Sequence, residues 1–141
     1  MNQFEQFQNA LLLETISKST FKVNPDSKYF VGKTPHGGYL NALMHKALTL
    51  SLPHSVAISS SIQYLDRIEA KDIILEVDVL KVSRGSSSGV VKLIQEGKVC
   101  TVFSGICSDF ESMKGFDGLE TSPPEIFRDT HKDQYKNLNY D

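Results

Sequence analysis

The chain has 141 residues, 40% of them hydrophobic and 23% charged, an ordinary balance for one globular domain with its own core. Its formal net charge of -2 offers no basic surface for nucleic acid or for an anionic membrane. No apolar run approaches the roughly 20 residues that span a bilayer, and the start, Met1 to Glu5, lacks the basic-then-apolar pattern of a signal peptide, so a cytoplasmic protein with no membrane partner is expected.

Residues 2 to about 18 read as an amphipathic cover helix, with Phe4, Phe7, Leu11 and position 14 or 15 along one side and Leu12 and Leu13 widening it. Thr20 to Val23 has the content of a short strand, ended by the turn residues Asn24, Pro25 and Asp26, and Tyr29 to Val31 reads as a second. The stretch Thr34 to Ala47 is a loop that turns into a helix. Pro35 restrains the backbone, Gly37 and Gly38 leave it bare, and Leu40, Leu43, Met44 and Ala47 then form one apolar face. The helix is expected over 38–52, because Pro53 disfavours helical geometry in its predecessor.

After Pro53 the period changes from 3.6 to 2. Strands are expected near 56–66, 72–83, 87–96 and 98–110, with Val56, Ile58, Ser60, Ile62 and Tyr64 on one face of the first and Ile73, Leu75, Val77 and Val79 aligned in the second. The short turns at Ser83 to Ser86 and Glu96 to Lys98 imply an antiparallel meander. From Glu111 the apolar content falls, so residues 1–110 are expected to form the domain and 111–141 a polar tail or linker. One helix enclosed by a long antiparallel sheet of about five to six strands is an α+β hotdog arrangement.

The chemistry-bearing residues are sparse. Cys100 and Cys107 are separated by an odd number of positions in one strand, so they point to opposite faces and read as buried free thiols. The four histidines, His36, His45, His54 and His131, show no metal-ligand spacing, and neither a metal nor an organic cofactor is expected. The helix start at Gly37-Gly38 is an electropositive cluster of N–H groups, which suits an oxygen that becomes negative and equally serves as a packing device.

The PHGGYL loop entering an AL-rich helix, the strand ending SIQYLDRIEAKD, the strand LEVDVLKVSRGSSS and the strand bearing QEGK, in this order over roughly residues 20 to 110, resemble the first half of the acyl-CoA thioesterase II-type proteins, which carry two hotdog domains in one chain. Ser122-Pro123-Pro124-Glu125 resembles their interdomain linker. The resemblance implies hydrolysis of a fatty acyl-CoA thioester, with the acyl chain along the central helix and an oxyanion donor in the backbone N–H of Gly38 or Tyr39. Single-domain thioesterases with an HGG loop carry an acid eight residues after the histidine. Here that position is Met44, which cannot be a base. Against the two-domain family's aspartate, threonine and glutamine, Ser59 or Ser60 stands near the threonine, Ser104 near the glutamine, and nothing stands for the aspartate.

The candidate catalytic residues are therefore His36, Gly37, Gly38 and Asn41, and the candidate substrate-binding residues Tyr39, Ser60, Tyr64, Arg84 and Ser104. His36 either orients a thioester carbonyl or braces the loop. Asn41 and His45, four apart, either line a site facing a partner subunit or form an exposed polar face. Asp66 is either a base or half of a surface ion pair with its neighbourhood. Lys33, Lys81 and Arg84 are the cations available to CoA phosphates, Arg84 first because it sits in a glycine turn. Three functions fit: a homodimeric acyl-CoA thioesterase, a non-catalytic acyl-CoA-binding or dimerisation module, and a hotdog dehydratase or hydratase, disfavoured because no histidine–carboxylate pair lies near the helix.

Overall fold

The computed structural model describes residues 2–115 and 118. Asn2 opens the first helix, α1 (Gln3–Ala10), through a reciprocal cap: its side chain accepts from Glu5 N–H at 2.9 Å, and its own N–H donates to the Glu5 carboxylate at 3.0 Å. The helix stops far short of Lys18. Residues Glu14–Ser17 form a strand, β1, paired antiparallel with β2 (Thr20–Val23), so cross-strand pairing overrides the helical pattern there. Phe21 and Val23 of β2 enter the core. A 3-10 turn over Ser27–Tyr29 leads to β3 (Phe30–Val31), which pairs with β4 (Thr34–Pro35) as a separate two-stranded ladder.

The long helix, α2, covers Gly37–Ser51, and four long strands follow: β5 (Val56–Tyr64), β6 (Ile73–Val82), β7 (Ser87–Gln95) and β8 (Lys98–Ser108). With β1 and β2 they form one antiparallel sheet in the order β1-β2-β6-β7-β8-β5. The helix packs on β6, β7 and β8, with Leu43, Met44, Ala47 and Leu48 fully buried against Ile73, Leu75, Val91, Leu93 and Phe103. The α+β hotdog expected from the sequence is the fold observed.

Two departures matter for the site. Only β6, β7 and β8 form a meander. β5 crosses the sheet to pair with β8, so it becomes an edge, uncovered along most of its length. Its pairing with β8 also carries a bulge between Ala57 and Ser59. The extra residue shifts the alternation, so Ser60, Ile62 and Tyr64 lie opposite the inward-facing Gly105, Phe103 and Thr101, while Ile58 drops out of that row. Inward-facing glycines set how close the helix comes. A β-carbon at Gly105 would meet Leu48 at 2.7 Å, and one at Gly89 would meet Leu48 at 2.8 Å and the Asp78 carbonyl oxygen at 2.9 Å.

Cys100 and Cys107 are both buried and free, as expected. The segment expected to be a polar tail, 111–141, lies outside the described residues except for 111–115 and 118.

Candidate functional site

The start of α2 is built by His36. Its backbone is extended (φ -61°, ψ 136°), and its Nδ1 accepts from Gly38 N–H at 3.1 Å, the role usually filled by a serine or aspartate cap. That bond leaves Nε2 as the protonated nitrogen of the neutral ring. The His36 carbonyl accepts from Tyr39 N–H at 3.0 Å and Leu40 N–H at 3.1 Å, and its own N–H donates to the Tyr29 carbonyl at 2.8 Å. The two donors expected to serve an oxyanion, Gly38 and Tyr39 N–H, are thus already engaged. Among the described residues, Gly37 N–H is the donor of the first turn that bonds to no protein group. The electropositive helix start therefore presents one free N–H, one residue earlier than the sequence reading placed it.

Tyr64 closes the other side of the same turn. Its hydroxyl donates to the Gly37 carbonyl at 2.7 Å, tying the end of β5 to the start of α2. A β-carbon at Gly37 would lie 2.8 Å from that hydroxyl, so a side chain there would push the phenol off its bond. Partial burial raises the Tyr64 pKa and keeps the phenol protonated. Arg67 reinforces the loop, its Nε–H donating to Thr34 Oγ1 at 2.7 Å.

Tyr39, expected to touch substrate, is 3% exposed. Its hydroxyl donates to the Ala10 carbonyl at 2.8 Å and accepts from Asp26 N–H at 3.1 Å, and its ring stacks on Tyr29 at 5.0 Å. It clamps α1 onto the loop. With Phe7, Tyr29, Phe30 and Val31 it also walls an open, largely apolar cavity of about 400 Å³ that borders His36 and Gly38.

Asn41 and His45 are half-buried and follow Gly37 along one flank of α2. The His45 ring stands edge-on to Phe103 at 6.1 Å, and its Nε2 is enclosed without a hydrogen-bond partner. Burial lowers its pKa, so the ring is neutral at neutral pH. Met44, one position earlier, is fully buried beneath the helix.

Two candidates do not join this group. Ser104 lies between the inward-facing Phe103 and Gly105, so it is on the opposite face of the sheet, beside Val90 and Ser61. Arg84 sits in the β6–β7 hairpin at the other end of the helix. There His54 holds the turn, Nδ1 to Ser87 Oγ at 2.9 Å and Nε2 to the Arg84 carbonyl at 3.4 Å, with Ser108 Oγ donating to the Gly85 carbonyl at 2.5 Å. The whole length of α2, about 20 Å, separates that hairpin from Gly37. Ser60 faces the helix from mid-β5 and is exposed. Asp66 pairs with Lys98, and that ammonium, with Arg67 N–H, holds its carboxyl below the usual range. It is the surface ion pair. Among the described residues no group of His, Cys, Asp or Glu could hold a metal, and no helix is long and apolar enough to cross a membrane.

The group assembled at the helix start is thus His36, Gly37, Gly38 and Tyr64, with Asn41 and His45 one and two turns further along α2. Ser60 lies four positions from Tyr64 along β5, opposite Gly105 at the level of Leu48. The helix start can present one N–H to a carbonyl oxygen beside the His36 ring. Residues 25–108 match the family model of the acyl-CoA thioesterase N-terminal domain. The fold is similar to a candidate thioesterase II from Thermobifida fusca (21% identity, 84% of this chain and 43% of that one, TM-score 0.74). It is also similar to the acyl-CoA thioesterase II TesB2 of Mycobacterium marinum (14%, 86% and 44%, TM-score 0.69), and to a single-site mutant of the phenylacetic acid degradation protein PaaI from Thermus thermophilus (23%, 74% and 99%, TM-score 0.66). The chain spans under half the length of the first two and nearly all of the third. No curated protein matches it.

Proposed function

From the premise that this chain belongs to the acyl-CoA thioesterase N-terminal-domain family, we propose that it hydrolyses a fatty acyl-CoA thioester to the free acid and CoA, as a cytoplasmic homodimer serving lipid metabolism, with residues 1–110 as the working unit. The observation that carries the reading is the free Gly37 N–H at the head of a buried helix. Attack of water on a thioester carbonyl puts negative charge on its oxygen, and a fixed N–H reinforced by the helix dipole stabilises that charge at no reorganisation cost. Tyr64 and His36 hold the next peptide group, Gly37 C=O and Gly38 N–H, from either side and so fix the turn that carries the free N–H. The aromatic cavity beside Gly38 suits an apolar acyl tail.

Support for the dimer comes from β5. It is an edge strand exposed on both faces, with Ile58 54% and Tyr64 52% exposed, and such edges pair. Antiparallel pairing with a second copy would bring that copy's Arg84 hairpin toward this copy's Gly37, placing the cation where the isolated chain does not.

The test is release of free thiol from a panel of acyl-CoAs of increasing chain length, with light scattering on the same samples. Turnover by a dimer is expected. A second reading, a non-catalytic acyl-CoA-binding module, is favoured by the burial of Met44 at the position where single-domain relatives are expected to carry an acid. CoA raising the melting temperature with no thiol release on any substrate would select it.

A further inference from the structure

Two buried side-chain polar atoms among the described residues have no partner, and one of them, His45 Nε2, lies on the flank of α2 that carries Gly37 and Asn41. Leaving such an atom unpaired is destabilising, a cost that a leucine at the same place would avoid. The ring is held edge-on against Phe103, whose partner on β5 is Ile62, between Ser60 and Tyr64. His45 therefore stands, with Nε2 itself enclosed, against the inner-sheet pair whose β5 neighbours Ser60 and Tyr64 are exposed.

From this placement we infer that His45 is the general base of the hydrolysis, supplying the proton acceptor that the position of Met44 does not; the inference rests on the thioesterase reading. His45 follows Gly37 by eight residues, about 12 Å of helical rise. Its side chain leans back toward the helix start, which shortens that separation on the flank the two residues share. The neighbouring inward groups are Asn41 on its own helix, Ser60 and Tyr64 from β5, and Thr101 and Phe103 from β8. None is a carboxylate or a cation, and burial is the cause that lowers the His45 pKa. The ring is therefore an unprotonated acceptor at neutral pH.

In the step, the water oxygen bonds to the carbonyl carbon as its proton passes to the imidazole, and the carbonyl electron pair moves onto the oxygen held by Gly37 N–H. Collapse re-forms the carbonyl and breaks the C–S bond. The sulfur leaves as a thiolate and takes the proton back from the imidazolium, giving the acid and CoA with nothing left over.

The experiment compares the parent with His45→Gln, which keeps shape and polarity without a base, and His45→Glu, which restores a base with a lower pKa. The expected result is a loss of kcat of about a hundredfold or more in His45→Gln, with KM and melting temperature near the parent's. The acid limb of the parent's kcat/KM profile should vanish in His45→Gln and reappear at lower pH in His45→Glu. Should the variants not fold, NMR titration of the His45 ring in the parent, with and without a non-hydrolysable acyl-CoA thioether, reads the same contact: a ligand-dependent change is expected, and none would overturn the inference. Folded His45→Gln with parental kcat and an unchanged profile would overturn it while leaving the thioesterase reading intact. A parent that binds the thioether but turns over no thioester would overturn both.

Discussion

Gly37 and Tyr64 form the tightest side-chain constraint on the site. The phenol donates to the Gly37 carbonyl and occupies the space where a β-carbon would go. Gly37→Ala is expected to cost about 1–3 kcal/mol, as overpacking does, and Tyr64→Phe about 0.5–1.5 kcal/mol for the lost hydrogen bond. The double variant should cost less than the sum, because removing the hydroxyl removes the closest clash; urea denaturation of the four proteins in a double-mutant cycle reads the difference. His45 adds a pH dependence. Its folded pKa lies below the ordinary 6.5, so below pH 6.5 the unfolded chain binds the extra proton. The contribution of His45 is then fully present above about 6.5 and is lost as the pH falls through the folded value. Denaturation midpoints measured from pH 8 to 5 should fall less steeply for His45→Gln than for the parent.

At the scale of elements, α2 is seated by Leu48 against two glycines on neighbouring strands. Gly105→Ala and Gly89→Ala should each destabilise by about 1–3 kcal/mol. The two differ in what can yield. At Gly105 the contacts are side chains, Leu48 and Phe103, whereas at Gly89 the Asp78 carbonyl oxygen also blocks the new atom. Shortening Leu48 to alanine should therefore rescue part of Gly105→Ala and little of Gly89→Ala, when each double variant is compared with Leu48→Ala alone by thermal unfolding. The same seating keeps Met44 in the core and leaves Asn41 and His45 half-buried on the helix flank. A helix rotated by one position would exchange Met44 and His45, which is why one residue of register decides whether the flank carries a base.

At the scale of the whole molecule, the sheet ends on β5, and an uncovered edge beside the site makes assembly and activity one question. Ile58 is exposed on the bulge, so Ile58→Lys should keep the stability of the isolated fold within about 0.5 kcal/mol of the parent's, while a charge on the edge opposes pairing. Light scattering is expected to show a dimer for the parent and a monomer for the variant, with thioester turnover lost together with the dimer. A monomeric variant with full turnover would show that one copy holds the complete site.

Local periodicity is a property of neighbouring residues, and it carried much of this fold. The change of period at Pro53, the apolar face of α2 and the short turns of β6 to β8 were legible because each depends on side chains a few positions apart. The glycine pair before the helix likewise pointed to the loop where His36, Gly37, Gly38 and Tyr64 meet. What could not be read were the quantities set by distant contacts. Pairing with β2 turned Glu14–Ser17 from helix to strand. The crossing of β5 to the far edge, and its bulge at Ala57 to Ser59, chose which serines face the helix. The packing of the hairpin on His54 put Arg84 at the wrong end of α2 for a single chain. The isolation of His45 Nε2 has no sequence signature at all, because an unpaired atom is defined by what the rest of the chain fails to place beside it. Nearest-neighbour chemistry selects the elements, and long-range burial chooses which of their polar groups stand free to act.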